Sequence, residues 1–313
     1  MTVANAPVLV SDAAESQTRR HSSSGPASRR PRRGLAKYLG LTPFALYVVV
    51  FLAIPTTIAV VSGFFTDDGD FTFDNVVGLF APNVLATFGS SFWVSAVTAI
   101  VGAIVGALAC YALLGTRPDG ALRSFIDSAA SVLAQFGGIM LAFAFIAAIG
   151  TQGLVTVLLQ DVFGFDMYAD GVWLYQVQGL LPVYIYFQVP LMIITFMPAL
   201  SGLKIQWAEA NATLGGTRLT YWTKIAFPVL APSFFGSLLL LFANAFSSYA
   251  TAAALISQGA QIVPLQIRAA LVSETVLGRE NMAGALALGM VIVMVVVMWG
   301  YSVLQNRTSR WQK

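Results

Sequence analysis

The sequence predicts an all-α membrane protein with six transmembrane helices. Of its 313 residues, 57% are hydrophobic and only 10% are charged, whereas an ordinary soluble domain carries about 25% charged residues. Most of the folded surface must therefore face something other than water. Six apolar stretches are each long enough to cross a hydrocarbon core of about 30 Å. We therefore expect a single membrane domain.

The first part of the chain differs in composition from the rest. Residues 1–36 are rich in Ala, Ser, Pro and Arg and show no apolar periodicity. They cannot bury enough surface to offset chain entropy, so we expect a disordered basic tail before a membrane domain of residues 37–313. The RRPRRG cluster at residues 29–34 could bind nucleic acid or anionic lipid. We favour an orientation signal beside the first span.

The six apolar stretches also predict an orientation. They lie at about residues 42–65, 92–114, 129–149, 175–200, 229–256 and 282–304. The first is too long, and starts too late, for a signal peptide. Lys and Arg concentrate in cytoplasmic loops, and with both termini inside all but two of the 17 basic residues lie inside. The exceptions are Arg268 and Arg279. The connection between the fourth and fifth spans is then cytoplasmic.

Two small features of the second span have simple structural interpretations. Gly102 and Gly106 are four residues apart, a spacing that favours close helix packing in membranes. Cys110 is the only cysteine and lies in an apolar run. We interpret it as a small hydrophobic residue, since it has no partner for an intramolecular disulfide.

Polar side chains within the fourth and fifth spans are candidates for a solute path, because polar groups are costly in lipid and usually face the bundle or a cavity. The fourth span carries Gln188 and three prolines, Pro182, Pro190 and Pro198. The candidates of the fifth span are Asn244, Ser247, Ser248, Tyr249 and Thr251. On a continuous helix, Asn244, Ser248 and Thr251 would share one face. Hydrogen bonding between neighbouring helices is the alternative.

The polar connection between these spans predicts two short helices at an angle. Residues 203–214 can form the first, and the Gly215-Gly216 pair can break it, since glycine adopts a positive φ at little cost. Thr217 can cap the second helix. Pro228 disfavours helix at the residue before it, so the second helix should stop there. The fifth span would then begin as a separate element near Ala231 or Pro232.

The second short helix is predicted to carry an exposed apolar stripe. Leu219, Trp222 and Ile225 recur every three residues and would face one side. Such a stripe needs a partner. The alternative is an amphipathic helix lying on the lipid headgroups.

The same connection resembles the coupling signature of ABC importer permeases. That signature reads Glu-Ala-Ala, three residues, Gly, nine residues, then Ile, any residue, an apolar residue and Pro. The matching residues are Glu209, Ala210, Gly215, Ile225 and Pro228, with Phe227 at the usual Leu position and Asn211 as the third small residue. The resemblance implies a type I importer permease fold in which residues 203–228 dock on an ATPase. Glu209 would contact the ATPase, Ala210 would permit close packing, and Gly215 would set the bend.

The resemblance also implies partners. These are separate ABC ATPase subunits, a second permease subunit that is identical or related, an extracytoplasmic solute-binding protein and the surrounding lipid. The chain has no P-loop pattern. We therefore expect no ATP hydrolysis by this chain and no enzyme activity, and we identify no catalytic residue, cofactor, metal site or nucleic-acid partner. The expected location is the bacterial plasma (inner) membrane.

The cargo is the least determined part of the resemblance. The Thr-Leu-Gly-Gly run at residues 213–216 is similar to that of permeases for polyamines, ferric iron, thiamine or phosphonates. A polyamine such as spermidine or putrescine is the favoured interpretation, although a polyamine path should offer acids and the spans lack them. An ion-coupled secondary transporter would need internal repeats or intramembrane carboxylates, and the spans show neither. A membrane scaffold would need no ATPase.

Overall fold

The computed structural model describes residues 41–66, 68–117, 120–256, 261–272 and 280–308. The tail expected at residues 1–36 lies outside these ranges. Contacts divide the chain into two compact units, Met1–Ala53 and Ile54–Lys313. The described part of the first unit is a helix, α1 (Thr42–Val48), followed by a π-helical turn at Val49–Ala53. Within this unit the Tyr47 and Phe51 rings are in contact, with centroids 5.2 Å apart.

The second unit consists of helices joined by turns and loops, and its described residues contain no strand beyond one isolated β-bridge between Phe65 and Phe71. Its helices are α2 (Ile54–Ser62), α3 (Asp74–Gly78), α4 (Pro82–Leu113), α5 (Ala121–Gln135), α6 (Gly138–Ile149), α7 (Leu154–Phe163), α8 (Leu180–Ser201), α9 (Ile205–Thr213), α10 (Arg218–Tyr221), α11 (Phe227–Phe246), α12 (Ala250–Leu255), α13 (Val263–Leu271) and α14 (Glu280–Thr308).

Six helical segments of the described chain are long and apolar enough to span a membrane, which confirms the all-α, six-span prediction. They are Thr42–Ser62, Pro82–Leu113, Gly138–Phe163, Val177–Ser201, Arg218–Phe246 and Asn281–Val303. Their bounds differ from the predicted ones mainly at the second, third and fifth spans.

The centre of the second unit is the long interface between α4 and α8, with α11 packed against both. The two glycines of α4 make this approach possible. A methyl group on Gly106 would lie 2.5 Å from Cβ of Met192, and one on Gly102 would lie 2.7 Å from Cβ of Gln188. The predicted close packing at both glycines is therefore confirmed. Cys110 is buried in the same interface, with its Sγ 3.9 Å from the Ile193 carbonyl oxygen.

The third span is not the continuous helix expected at residues 129–149. That stretch breaks at Phe136 and Gly137, and Gly138 adopts a φ of +70°. Helix α5 packs against α8, whereas α6 packs against α12. Hydropathy alone could not locate the break, because both sides of it are apolar and the Gly-Gly pair fits equally well inside a packed helix.

The fifth span begins earlier than predicted. Helix α10 continues through a π-helical turn at Trp222–Ala226 directly into α11. The expected stop before Pro228 is therefore wrong. A π turn pairs residues five apart, so the hydrogen-bond register shifts just before Pro228 and the helix tolerates a residue without an amide proton. The segment Arg218–Phe246 forms a single span.

A helix that the sequence left as a loop connects the fifth and sixth spans. Helix α13 packs against α14 and α4. Its first amide, on Val263, donates a 2.8 Å hydrogen bond to Oγ of Ser91. Ser91 belongs to a buried polar face of α4 that recurs every three or four residues. The members of this face are Thr87, Ser91, Ser95 and Thr98.

Candidate functional site

The turn after α9 has the predicted glycine geometry. Gly215 adopts a φ of +75°, and a side chain there would meet no atom within 4 Å. The Gly216 amide donates a 2.8 Å hydrogen bond to the Asn211 carbonyl oxygen. Glycine at 215 therefore provides backbone freedom, and the break expected at the Gly-Gly pair is confirmed.

The side chain of Asn211 forms a hydrogen bond across this turn. Its Nδ2 donates a 3.1 Å hydrogen bond to the carbonyl oxygen of Thr217. A Cβ added to Gly216 would collide with the Asn211 amide, so that glycine is needed for the close approach. From its place in the signature, Asn211 is expected only to be the third small residue. The local signal for its contact is a hydrogen-bonding side chain a few residues before a Gly-Gly turn.

The second short helix is capped as predicted and anchored to α4. Oγ1 of Thr217 accepts a 3.2 Å hydrogen bond from the Thr220 amide. Nη2 of Arg218 donates to the hydroxyl of Tyr111 at 2.9 Å, and the Tyr111 and Trp222 rings meet edge to face at 5.0 Å. Because Tyr111 and Arg218 lie 107 residues apart in the chain, no local pattern could predict this contact.

The outer surface of the segment is exposed and partly apolar. The side chains of Leu214 and Leu219 are 87% and 73% exposed. Glu209 and Ala210 are also exposed, and within the described ranges no hydrogen bond or ion pair involves the Glu209 carboxylate. The expected stripe is divided, since Leu219 faces outward while Trp222 packs on Tyr111.

The remaining two matches to the signature lie where the segment joins the fifth span. Ile225 is half-buried in the π turn, and Pro228 is exposed at the start of α11. Helix α10, the π turn and α11 thus form one continuous helix from the Thr217 cap to Phe246.

Gln188 lies in the interface between α8 and α4. It is fully buried, and its Nε2 donates a 2.9 Å hydrogen bond to Oγ1 of Thr98. Its Oε1 has no partner among the described residues. For Gln188 the observed geometry is therefore hydrogen bonding between neighbouring helices, the alternative to a role in a solute path.

The fifth-span candidates do not share one face, because the helix breaks at Ser247–Tyr249. Asn244, Ser247 and Tyr249 are exposed, whereas Thr251 is 1% exposed on α12. Ser248 is half-buried, and its carbonyl oxygen accepts a 3.0 Å hydrogen bond from the Tyr184 hydroxyl. The expectation of a continuous polar wall is therefore wrong.

The break opens onto a cleft of about 520 Å³. The residues that line it are Ser247, Tyr249, Arg268 of α13 and Met290 of α14, together with the apolar side chains of Pro264, Ile267, Leu271 and Val272. The sequence predicts Arg268 in an outside loop, whereas it lies on α13. The described side chains provide no group of three or more His, Cys, Asp or Glu residues that could hold a metal ion.

Two known sequences that are similar to this chain are distant relatives, and both are permease proteins. No protein-family model matches the chain. It is 25% identical over 259 residues to the "Probable ABC transporter permease protein y4fN" of Sinorhizobium fredii, covering 82% of this chain and 44% of that protein. It is 25% identical over 206 residues to the "Ferric transport system permease protein FbpB" of Actinobacillus pleuropneumoniae, covering 65% of this chain and 29% of that protein. The chain spans less than half the length of these curated relatives.

Comparison with solved structures shows the fold. A bacterial ABC transporter that imports the acidic polysaccharide alginate superposes with a TM-score of 0.71 at 17% identity, covering 88% of this chain and 96% of that chain. The MetNI methionine ABC transporter, in inward-facing form, superposes with a TM-score of 0.54 at 14% identity, covering 72% and 95%. The all-α, six-span fold expected from the sequence is therefore similar to the fold of these solved transporter chains.

Proposed function

We propose that this chain is an ABC importer permease subunit and that it forms part of the membrane pore of an ATP-driven importer. The observation that carries the proposal is the continuous helix from the Thr217 cap to Phe246, with an exposed turn at its start. A rigid helix transmits displacement along its axis, so a push on the turn moves the fifth span.

The proposed docking surface for an ATPase subunit is the outer side of the segment at residues 203–228. Leu214 and Leu219 supply exposed apolar area, and Glu209 supplies a charge for polar contact. Ala210 permits close approach beside Glu209, and Gly215 fixes the bend. The Arg218 contact with Tyr111 extends the same displacement to α4.

The proposed orientation places both termini and this segment in the cytoplasm. The support is the distribution of Lys and Arg, which leaves only Arg268 and Arg279 outside. The six apolar helices and the permease relatives agree with a multi-pass protein of the bacterial inner membrane.

The proposed assembly contains a second permease subunit, identical or related, two ATPase subunits and an external solute-binding protein. Support comes from a solved alginate transporter that was crystallised with an alginate pentasaccharide-bound periplasmic protein and superposes with a TM-score of 0.70 at 17% identity. The proposed cargo class is a small polar solute. The name of one relative suggests ferric iron, and the polyamine hypothesis gains no support from the lining of the described cleft.

Purification of the tagged full-length permease from its native membranes tests this function. We expect ATP-binding subunits to copurify, and we expect ATP hydrolysis by the complex to depend on the permease. Isolation of the intact permease without any ATPase, under detergents that preserve other importers from the same membranes, would contradict the proposal and favour a secondary transporter or a scaffold.

A further inference from the structure

An apolar groove of about 280 Å³ lies between α4, α8 and the start of the fifth span. Its floor is formed by the buried side chains of Phe196, Leu200 and Leu230. Its rim includes Ile104 and Leu108 of α4, which are 50% and 62% exposed. Every described residue that lines it is apolar or aromatic. On a membrane-spanning segment, such an open apolar surface faces acyl chains and not water.

The groove runs from the membrane interface into the hydrocarbon core. Its lining residues on α4 extend from Ile104 to Tyr111, which is about 10 Å of helix at 1.5 Å per residue. Tyr111 lies near the end of the second span, which ends at Leu113, and its ring packs edge to face on that of Trp222. Tyr and Trp are enriched at the membrane interfaces. The aromatic end of the groove is therefore at the level of the lipid headgroups.

A cation lies at this aromatic end. Nη2 of Arg218 donates a 2.9 Å hydrogen bond to the hydroxyl of Tyr111. Arg218 precedes Trp222 by one helical turn, so the two side chains share one side of the helix. Arg218 is exposed, and no carboxylate of the described chain forms an ion pair with it. A guanidinium group has five N–H donors, so several remain for a phosphate group after the bond to Tyr111.

We infer that this groove binds an anionic phospholipid, with its phosphate on Arg218 and one acyl chain along Ile104 and Leu108. The inference goes beyond the proposed import function and does not depend on it. Basic pockets between membrane helices are suited to anionic headgroups, and an arginine can hold a phosphate with two parallel hydrogen bonds. The groove supplies the apolar half of the same ligand.

A helix of a second copy of this chain fits the groove less well. Membrane helices approach each other over small residues, whereas the exposed rim carries the bulky side chains of Ile104, Leu108 and Phe227. An apolar helix would also bring no counter-charge for Arg218.

The lipid site lies on the α4 side of the segment at residues 203–228. Leu214 and Leu219, on its outer side, do not line the groove. A bound headgroup would lie where Arg218 meets Tyr111. The lipid would therefore add a link between the second short helix and α4 while leaving the outer surface open to a protein partner.

Photocrosslinking in vesicles of defined composition tests the inference. The full-length permease, with any subunits that copurify, is reconstituted in equal amounts of dioleoyl phosphatidylglycerol and dioleoyl phosphatidylcholine. A benzophenone amino acid replaces Leu108, and mass spectrometry identifies the lipid in each adduct. We expect phosphatidylglycerol to exceed phosphatidylcholine by about threefold or more, because one basic side chain attracts an anionic headgroup to about this extent. The same probe at Val295, which is 59% exposed on α14 and outside the groove, should show no preference.

Arg218→Gln should reduce the preference at position 108 to that at position 295, and Arg218→Lys should restore most of it. Lys224→Gln is the matched control, because it removes an exposed cation about half a turn away from Trp222, on the other side of the same helix. It should leave the preference unchanged.

Equal lipid compositions at positions 108 and 295 would overturn the inference, and so would a preference that persists in Arg218→Gln. The comparison of the two probe positions needs no change at Arg218, so it decides the matter even where that variant fails to insert. A crosslink from position 108 to a second permease subunit in place of lipid would show a protein interface there and would also overturn it.

Discussion

The side-chain amide of Asn211 donates a hydrogen bond to the backbone carbonyl of Thr217 across the Gly215-Gly216 turn, with a distance of 3.1 Å. Thr217 in turn caps the helix that leads into the fifth span. The two helices of the proposed coupling segment, residues 203–228, are therefore joined both by the chain and by this side-chain hydrogen bond. This hydrogen bond limits changes in the angle between the two short helices, so that a force on one helix can be transmitted to the other.

Asn211→Asp should loosen this turn, because a carboxylate cannot donate to the Thr217 carbonyl. Loss of one exposed hydrogen bond should cost about 1 kcal/mol. We expect the Thr220 amide to exchange hydrogen roughly fivefold faster in the intact permease, by mass spectrometry. Thr213→Ala is the control, since its hydroxyl bonds only to the Ala210 carbonyl of its own helix. Equal exchange in Asn211→Asp and wild type would show that this hydrogen bond does not restrain the turn.

Gly215→Val should uncouple ATP hydrolysis from transport while the protein still inserts. An added Cβ would have no heavy atom within 4 Å, so the effect should come from the positive φ, which disfavours a β-branched residue by about 1–2 kcal/mol. Gly215→Asn is the matched control because asparagine tolerates this conformation. The measurement is solute-stimulated ATPase activity of the purified complex. Normal stimulation in the valine variant would refute the role assigned to this bend.

Much of the coupling segment could be predicted from the sequence because its signals are local. The positive φ at Gly215 and the cap at Thr217 follow from residue types that serve those purposes. The contacts that fix the segment could not be predicted in this way, since the Arg218 partner Tyr111 lies on a distant helix. The helix end predicted before Pro228 is wrong because a π turn precedes this residue and the helix continues through it. Nothing in the local composition indicates such a turn.

The solute path was harder to predict for a different reason. Periodicity arguments assume a continuous helix, and the break after Phe246 removes that assumption for Ser248 and Thr251. The sequence predicts a loop at Arg268, whereas this residue lies on the short helix α13. Only its packing against α4 and α14 shows that it faces a cleft.

Gln188→Ala and Asn244→Leu should distinguish a residue needed for helix packing from one needed for transport. Gln188 is buried and bonded to Thr98, so its truncation should destabilise the bundle by about 1–3 kcal/mol and lower complex yield. Asn244 is exposed one turn before the cleft, so its replacement should lower uptake per complex more than yield. Uptake and yield are measured together for both variants. If uptake by Asn244→Leu fell only in proportion to yield, this residue would be a packing group.

The orientation predicts the labelling of two new cysteines in a Cys110→Ser background. Asp70→Cys lies in an exposed loop after the first span, and Thr217→Cys lies at the coupling turn. In intact cells an impermeant thiol reagent should label position 70 only. Position 217 should react after the membrane is permeabilised. The reverse pattern would place the coupling segment outside the cell, where it could not contact a cytoplasmic ATPase subunit.

Photocrosslinking from Leu219 tests the central claim most directly. This side chain is 73% exposed on the second helix of the coupling segment, where docking on an ATPase and lying on lipid headgroups make opposite predictions. A benzophenone amino acid placed there, in the complete native complex, should form a covalent product with the ATPase subunit. The same probe at Leu108, which is 62% exposed on the membrane-spanning part of α4, provides the comparison for lipid-facing positions. A Leu219 probe that yields only lipid adducts, as expected at a lipid-facing position, would contradict the claim that this segment couples the permease to ATP hydrolysis.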